Sequence, residues 1–246
     1  MLDDRERETV QTFFGVDSEQ VIRDHLISHA LAAISSIGTD DLVFFGGTAL
    51  SRTHLTDLRL SEDIDLLALR DRTAVAERIE SALVRHMRRT FGAVTFTPPL
   101  KDTKHPDPSV MQVGDVRVQI QLLSADGYPA WPTEIMNIEQ RYSDAPPAHL
   151  RVLTLSAFVA AKLAAWNDRG APRDLYDLWA LARAGHINSK ASELFKRQGP
   201  YTSMASVSFV RLPTAVEWGA SLGHQCVTAI SPKDAAEVVR EAIQHL

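Results

Sequence analysis

The chain has 246 residues, of which 45% are hydrophobic and 23% are charged, and its formal net charge is −5. These values are ordinary for a globular protein, and the acidic balance argues against a protein that coats nucleic acid non-specifically. The single cysteine, Cys226, excludes an intramolecular disulfide framework. A charged N-terminal segment, unlike a signal peptide, and the lack of a long apolar run predict a cytoplasmic protein without a membrane span.

The first part of the chain alternates predicted helices and strands. After a lead-in of about 16 residues, a helix is predicted from Asp17 to Ile37, with Asp17 as its N-cap. The elements predicted next are strand Leu42–Phe45, a Gly-Gly-Thr turn with a short helix, strand Ile64–Leu69, helix Asp71–Thr90, strand Ala93–Thr97 and a hairpin of Ser109–Val113 with Val116–Leu123. Residues 124–150 are predicted to be irregular, with a short strand around Ile135–Ile138.

From about Thr154 the pattern is helical throughout. One helix is predicted to run to Arg169 and stop at Gly170, and the next begins with Pro172. Further helices are predicted over about Ser189–Gln198, Pro213–Leu222 and Pro232–His245. The sequence therefore predicts an α/β lobe over residues 1–150 and a helical lobe over residues 151–246.

Two carboxylates, Asp63 and Asp65, stand at the head of the second predicted strand. Residues two apart on a strand point the same way, so these acids should project side by side. Paired carboxylates are typical ligands of Mg²⁺, whose shell substrate phosphates often complete. The Gly46-Gly47 turn would let a phosphate approach backbone N–H groups. A solvated acidic loop and an ordinary turn are the alternatives, but the apolar residues around the acids favour a metal-dependent nucleoside triphosphate site.

A lysine on an apolar helical stripe, Lys162, is the second unusual feature. It either lets its charge reach solvent from the edge of the core or aims an ammonium group at triphosphate oxygens. The next helix carries Asp174 and Asp177 three residues apart, hence on one face. The helix dipole favours an acid in the first helical turn, which explains Asp174. Asp177 lies deeper in the helix, so the dipole explains it poorly.

The segments GGTALSRTHL…RLSEDIDL and KLAAWNDRGAPRDLYDLWAL resemble those of the AbiEii/AbiGii-type nucleotidyltransferases. These are toxins of abortive-infection and MenT-like toxin–antitoxin systems within the DNA polymerase β-like superfamily. The resemblance covers residues 40–70 and 155–182. It implies an α+β fold, with a mixed-sheet polymerase β-like nucleotidyltransferase lobe followed by an all-helical lobe that closes the active-site cleft.

The resemblance also implies an activity, the transfer of nucleotides from an NTP to an acceptor hydroxyl with release of pyrophosphate. In characterised MenT-like members the acceptor is the 3′ end of tRNA, and a cognate antitoxin protein restrains the toxin. The cofactor implied is Mg²⁺, with Mn²⁺ as an alternative. An NTP and a tRNA are therefore the expected substrates.

The resemblance assigns site residues position by position. The nucleotide-binding positions are Gly46, Gly47, Thr48 and Ser61, the metal ligands are Asp63 and Asp65, the family lysine is Lys162, and the late catalytic acid is Asp177 or Asp174. Guanidinium groups chelate phosphate oxygens well, which makes Arg59, Arg169 and Arg173 candidate phosphate clamps. Arg169 is equally well explained as a surface arginine at a helix end.

One feature departs from the superfamily. Many polymerase β-like enzymes carry a third carboxylate on a later strand, but the corresponding strand here, VRVQIQLL, offers Gln119 and Gln121, which cannot act as bases. Either Asp174 or Asp177 supplies the third acid from the helical lobe, or the reaction needs none.

Two other functions compete with an RNA-modifying toxin. One is a small-molecule nucleotidyltransferase of the drug-modifying kind, and the other is a degenerate nucleotide-binding interaction module. An RNA acceptor needs a basic track, which Arg85–Arg89 and Lys101–His105 could supply. A large distance between these groups and Asp63 would favour the small-molecule enzyme.

Overall fold

The computed structural model describes residues 2–104 and 106–246, and these contain nine α-helices and seven β-strands. The helices are α1 (Asp4–Phe14), α2 (Ser18–Ser35), α3 (Gly46–Ser51), α4 (Arg72–Phe91), α5 (Leu155–Arg169), α6 (Pro172–Arg183), α7 (Ser189–Gln198), α8 (Ala215–Leu222) and α9 (Pro232–Gln244). The strands are β1 (Leu42–Phe45), β2 (Ile64–Ala68), β3 (Thr95–Thr97), β4 (Ser109–Val113), β5 (Val116–Ser124), β6 (Thr133–Ile138) and β7 (Ala148–Leu153).

All the described strands form one mixed sheet in the order β3-β4-β5-β2-β1-β7-β6. Strand β1 pairs antiparallel with β2, and β4 pairs antiparallel with β3 and β5. The β2–β5 and β1–β7 pairs are parallel. A mixed sheet followed by helices confirms the predicted α+β class.

The chain divides into two compact units. The first unit, Met1–Tyr128 with Glu134–Val152, contains most of the sheet and helices α1–α4. There α2 and α4 pack against each other and against β5. The second unit, Pro129–Thr133 with Leu153–Leu246, holds the remaining helices. In it α5 packs on α6 and α7, while α6 packs on α8 and α9.

Short-range signals in the sequence set most helix ends. The Asp17 carboxylate accepts a hydrogen bond from the backbone N–H of Gln20 at 2.8 Å, which caps α2 as predicted. Asp71 caps α4 in the same way. Gly170 ends α5 with φ of 60°, a left-handed conformation that glycine adopts at little cost.

Strand β7 corrects the prediction that residues 124–150 are irregular. It occupies Ala148–Leu153 next to β1, where Phe44 is in register with Val152. Its residues alternate between buried Ala148, Leu150 and Val152 and more exposed neighbours. The strand pattern was therefore present, but the two prolines before it hid it because proline signals a loop.

A buried polar network fixes the loop between β6 and β7 onto α2. The Asp24 carboxylate accepts hydrogen bonds from Arg52 Nη2 at 2.7 Å and from Tyr142 Oη at 2.9 Å. Arg141, from the same loop, donates to the backbone carbonyls of Ser51 and Thr56. Burial lowers the pKa of Arg52 to about 10 against the opposing effect of Asp24, so this guanidinium stays charged at neutral pH.

No helix in the described ranges combines the length and apolar character needed to cross a membrane.

Candidate active site

The glycine turn, residues 46–48, forms the first turn of α3 directly after β1. In the β1–β2 ladder Phe45 is in register with Asp65, which places this turn at the head of β2. The Thr48 hydroxyl donates a hydrogen bond to the backbone carbonyl of Asp63. Strand pairing and this hydrogen bond therefore fix the turn against the two acids.

The two glycines lie where no side chain would fit. Gly46 has φ of +79°, and a Cβ there would lie 2.8 Å from Cγ of Asp65. A Cβ on Gly47 would lie 3.0 Å from Oγ of Ser61 and 3.3 Å from Cζ of Arg59. Because glycine has no side chain, the turn can lie against three other predicted site residues, Arg59, Ser61 and Asp65.

We expect Gly46→Ala to lower the rate of nucleotide transfer about 100-fold, because the added methyl group would displace the Asp65 carboxylate. The left-handed backbone should cost a further 1–2 kcal/mol or so of stability. Steady-state kinetics and urea unfolding of the purified variant measure the two effects.

Gly114→Ala is the matched control for this change. Gly114 also has positive φ, +58°, but a Cβ there would meet nothing within 4 Å. It should lose similar stability and keep its activity. Equal activity in both alanine variants would mean that close packing of the turn on Asp65 is unimportant.

Asp63 and Asp65 are partly exposed, whereas Ile64 between them is fully buried. Asp63 directly precedes β2 and Asp65 is its second residue, and the alternation of exposure agrees with the two acids facing the same way. The donor set fits Mg²⁺, since two carboxylates share a face beside a turn whose backbone could receive phosphates. The β5 residue in register with Asp65 is Gln121, so the neighbouring strand offers an amide there.

A cavity of about 550 Å³ opens beside Asp63 within the first unit. Register pairs Thr97 with Val110 and Gln112 with Arg117, so its floor is one face of β3–β5. Arg23 and Glu62, joined at 2.6 Å, also line it. The full lining is Arg23, Glu62, Asp63, Thr97, Val110, Gln112, Arg117 and Gln119. We call this space the Asp63 cavity.

In the second unit Lys162 is paired with both predicted acids of α6. Its Nζ lies 3.1 Å from Oδ1 of Asp174 and 2.7 Å from Oδ2 of Asp177. The relative exposures of these three residues are 6%, 0% and 1%, so Lys162 is buried and does not carry its charge to the solvent. Helix packing thus assembles a buried charge cluster from α5 and α6.

Arg169 joins this cluster through Asp174. Its Nε and Nη2 atoms donate to the two carboxylate oxygens of Asp174 at 2.7 and 3.0 Å. Burial alone would raise the pKa of Asp174, but the nearby charges of Lys162 and Arg169 outweigh burial and lower it. An ionised carboxylate held by two cations is a weak base, but it can orient the ammonium group of Lys162.

We expect the pKa of Asp174 to make stability depend on pH. Because the folded-state pKa lies below the ordinary 3.8, its contribution is complete above 3.8 and is lost as pH falls toward the lower folded value. The free energy of unfolding should therefore be lower at pH 3 than at pH 5, with the loss beginning near pH 4, and the difference should be smaller in Asp174→Asn.

Asp168→Asn, which changes an exposed acid on α5, controls for the substitution itself. Urea unfolding at the two pH values measures the difference. Identical pH dependence in wild type and Asp174→Asn would contradict a stabilising charge on Asp174.

The remaining predicted phosphate clamps occupy different settings. Arg59 is buried, with its guanidinium against Gly47. Arg173, the second residue of α6, is partly exposed and directly precedes Asp174. The predicted site residues thus fall into two groups, one in the first unit around residues 46–65 and one in the second unit around Lys162.

The sequence did not indicate Arg23, Glu62 and Arg117 as site residues. Arg23 belongs to a helix that precedes the glycine turn, and no spacing rule links it to Asp63. Arg117 lies on the predicted polar face of β5, but its relevance follows only from the pairing of β5 with β2 in the structure.

The described residues of the two predicted basic groups lie at different parts of α4. Arg85, Arg88 and Arg89 are exposed in the last part of α4. Lys101 instead pairs at 3.2 Å with Glu77, in the first half of that helix. Lys104 is exposed, and His105 lies outside the described residues.

The model of the family described as "Nucleotidyl transferase AbiEii toxin, Type IV TA system" matches residues 29–217. The chain belongs to the AbiEii nucleotidyltransferase toxin family. The match includes both groups of predicted site residues. Family membership identifies this AbiEii protein as a nucleotidyltransferase toxin of toxin–antitoxin systems.

Solved structures confirm the fold of this AbiEii protein. MenT4, a nucleotidyltransferase toxin from Mycobacterium tuberculosis H37Rv, is 18% identical, with a TM-score of 0.65 over 92% of this chain and 83% of its own. A protein of H. pylori described as a candidate nucleotidyltransferase is 16% identical, with a TM-score of 0.57 over 94% of this chain and 95% of its own. A search of curated protein sequences gave no match.

Proposed function

We propose that this AbiEii toxin transfers nucleotides from an NTP to the 3′ end of tRNA and releases pyrophosphate. The observation that carries the proposal is the Asp63 cavity, which opens beside one of the two predicted metal ligands. Its arginine, glutamine and threonine side chains offer hydrogen-bond donors to the phosphates and ribose of a terminal nucleotide. A cavity of about 550 Å³ is large enough for such a group.

In the proposed mechanism the glycine turn holds the triphosphate. Backbone N–H groups of the turn contact the phosphates, and the neighbouring Arg59 and Ser61 supply further donors. Asp63 and Asp65 would hold Mg²⁺, or alternatively Mn²⁺. When bound, the ion supplies positive charge that offsets charge developing on the leaving pyrophosphate.

Two residues of the second unit, Lys162 and Arg173, are proposed to contact the triphosphate. The family resemblance assigns Lys162 to the triphosphate, and Arg173 is proposed as a phosphate clamp. Asp174 and Asp177 both contact Nζ of Lys162, which supports a role in orienting that ammonium group. Because Asp174 is held ionised by two cations, we assign its part in catalysis to positioning.

The test is to incubate the purified toxin with total tRNA and each labelled NTP in turn. We expect label at RNA 3′ ends with at least one NTP, and none when the terminal ribose has been oxidised with periodate. Label found only in small molecules of a cell extract would instead support a drug-type enzyme. No label with any acceptor would favour an interaction module.

We expect Arg117→Ala to raise the KM for tRNA about tenfold, the cost of one charge-assisted hydrogen bond, and to leave the KM for the NTP unchanged. Arg117 is exposed and lines the Asp63 cavity. Loss of one phosphate contact should also make the slope of log KM against log salt shallower by about 0.7 to 1.

Arg85→Ala is the control, because Arg85 is an equally exposed arginine on α4 that does not line this cavity. It should behave as wild type. A larger effect at Arg85 than at Arg117 would place the acceptor along α4 instead.

A further inference from the structure

A second cluster of metal-ligating side chains joins α2 to the loop between β6 and β7. His25 and His29 are four residues apart on α2, so both rings lie on one face of the helix. Nε2 of His25 lies 2.9 Å from Oδ1 of Asp144, and Nε2 of His29 lies 3.5 Å from the same oxygen. One ligand atom from each residue fits within a span of 4.8 Å.

These separations are close to the ligand spacing of a zinc site. Zinc binds imidazole nitrogen and carboxylate oxygen at about 2.0–2.2 Å, which sets tetrahedral ligand atoms about 3.3–3.6 Å apart. The separation of 3.5 Å falls within this range, whereas 2.9 Å is shorter and the span of the three ligand atoms, up to 4.8 Å, is longer. A metal ion could therefore be accommodated with small adjustments of side chains.

His29 points to a ligand independently of this spacing. Its side chain is only 10% exposed, and its Nε2 makes no hydrogen bond among the described residues, with only the longer 3.5 Å contact to Asp144. A buried polar nitrogen that lacks a hydrogen bond is costly unless something binds it.

Two aromatic rings pack on the histidines of the cluster. Phe91 packs edge-to-face on His29 and His25, with ring centroids 4.8 and 5.6 Å apart, and Tyr142 packs on His25 at 5.0 Å. An apolar surrounding strengthens metal–ligand bonds and restricts solvent access. Tyr142 is itself anchored to α2 through Asp24, so the loop that carries Asp144 is held in place.

We propose that His25, His29 and Asp144 bind a divalent transition-metal ion of the Zn²⁺ class. Two imidazoles and a carboxylate with one coordination position left for water form a common zinc ligand set. The ion would hold the β6–β7 loop on α2. The site is distinct from Asp63 and Asp65, whose all-carboxylate ligands suit a hard cation such as Mg²⁺.

The test is to strip the full-length protein with a chelator and titrate it with Zn²⁺ in competition with a chromophoric chelator. We expect one strong site per chain in wild type and in Asp63→Asn/Asp65→Asn. His29→Ala should bind Zn²⁺ at least about 100-fold more weakly. Mutation of residues that only hydrogen-bond to metal ligands already costs 10–100-fold in metal affinity, and loss of a ligand should cost more. With Zn²⁺ 100-fold above Kd, the folded-to-unfolded ratio of wild type should rise about 100-fold.

Co²⁺ provides a readout that needs no variant. Four-coordinate Co²⁺ with nitrogen ligands should give the intense visible absorption of a tetrahedral ion, whereas Co²⁺ among carboxylates and waters stays pale. His29→Ala should also keep its nucleotidyltransferase activity with Mg²⁺, which separates the two sites. Three results would each overturn the proposal: no strong site in wild type, loss of the site in Asp63→Asn/Asp65→Asn, or only pale Co²⁺ spectra.

Discussion

Replacing Asp63 with asparagine is expected to lower the rate of nucleotide transfer by at least about 100-fold, and to abolish growth inhibition when the toxin is expressed alone. The change preserves side-chain shape but removes one of the two carboxylate charges at the head of β2. Electrostatic contacts of this kind are typically worth about 10²–10³ in rate. Purified-enzyme kinetics with tRNA and the preferred NTP, together with growth curves, measure the two effects.

Asp57→Asn is the matched control, because Asp57 is an exposed acid in the same segment between α3 and β2. It should inhibit growth as strongly as wild type. The melting temperature of both variants should stay near that of wild type, which separates lost chemistry from lost folding. Persistent toxicity of Asp63→Asn and of Asp65→Asn would contradict the assignment of these residues as metal ligands.

Lys162→Met is expected to destabilise the protein by about 3–5 kcal/mol, because it leaves two buried carboxylates facing each other without their shared cation. Asp174 and Asp177 are both within 3.1 Å of the Lys162 ammonium group. Urea unfolding monitored by tryptophan fluorescence measures the loss. The variant should also fail to inhibit growth.

A triple variant separates stability from chemistry at this position. In Lys162→Met/Asp174→Asn/Asp177→Asn no buried charge is left without a partner in the Lys162 cluster, so most of the lost stability should return. Nucleotide transfer should stay low if Lys162 supplies charge to the triphosphate. Recovery of activity along with stability would mean that the cluster is purely structural. The exposed Lys190 offers the control, since Lys190→Met should change neither quantity.

Elements governed by local signals could be predicted from the sequence. Strand β1 and the capping of α2 follow from apolar runs and from Asp17, and both formed as predicted. The close approach of the glycine turn to the acids was also predictable, because a short connection separates β1 from β2. In these cases the residues that decide the structure are neighbours in the chain.

Features that depend on distant parts of the chain were not predictable in the same way. The Arg23–Glu62 pair joins a helix to a segment far along the chain, and no periodicity indicates such a contact. Lys162 was expected to point either to solvent or to phosphate, but helix packing surrounds it with two acids. The order of strands around β1 likewise depends on pairing between segments far apart in sequence.

The pairing of β1 with β2 has a consequence for assembly. Because Phe45 pairs with Asp65 across a short segment, bringing the glycine turn to the acids closes only a small loop and loses little chain entropy. Pairing Phe44 with Val152, by contrast, closes a loop that contains most of the residues of the first unit. The glycine turn and both acids are thus encoded in one continuous segment with low contact order, whereas the sheet around it depends on slow, long-range closure.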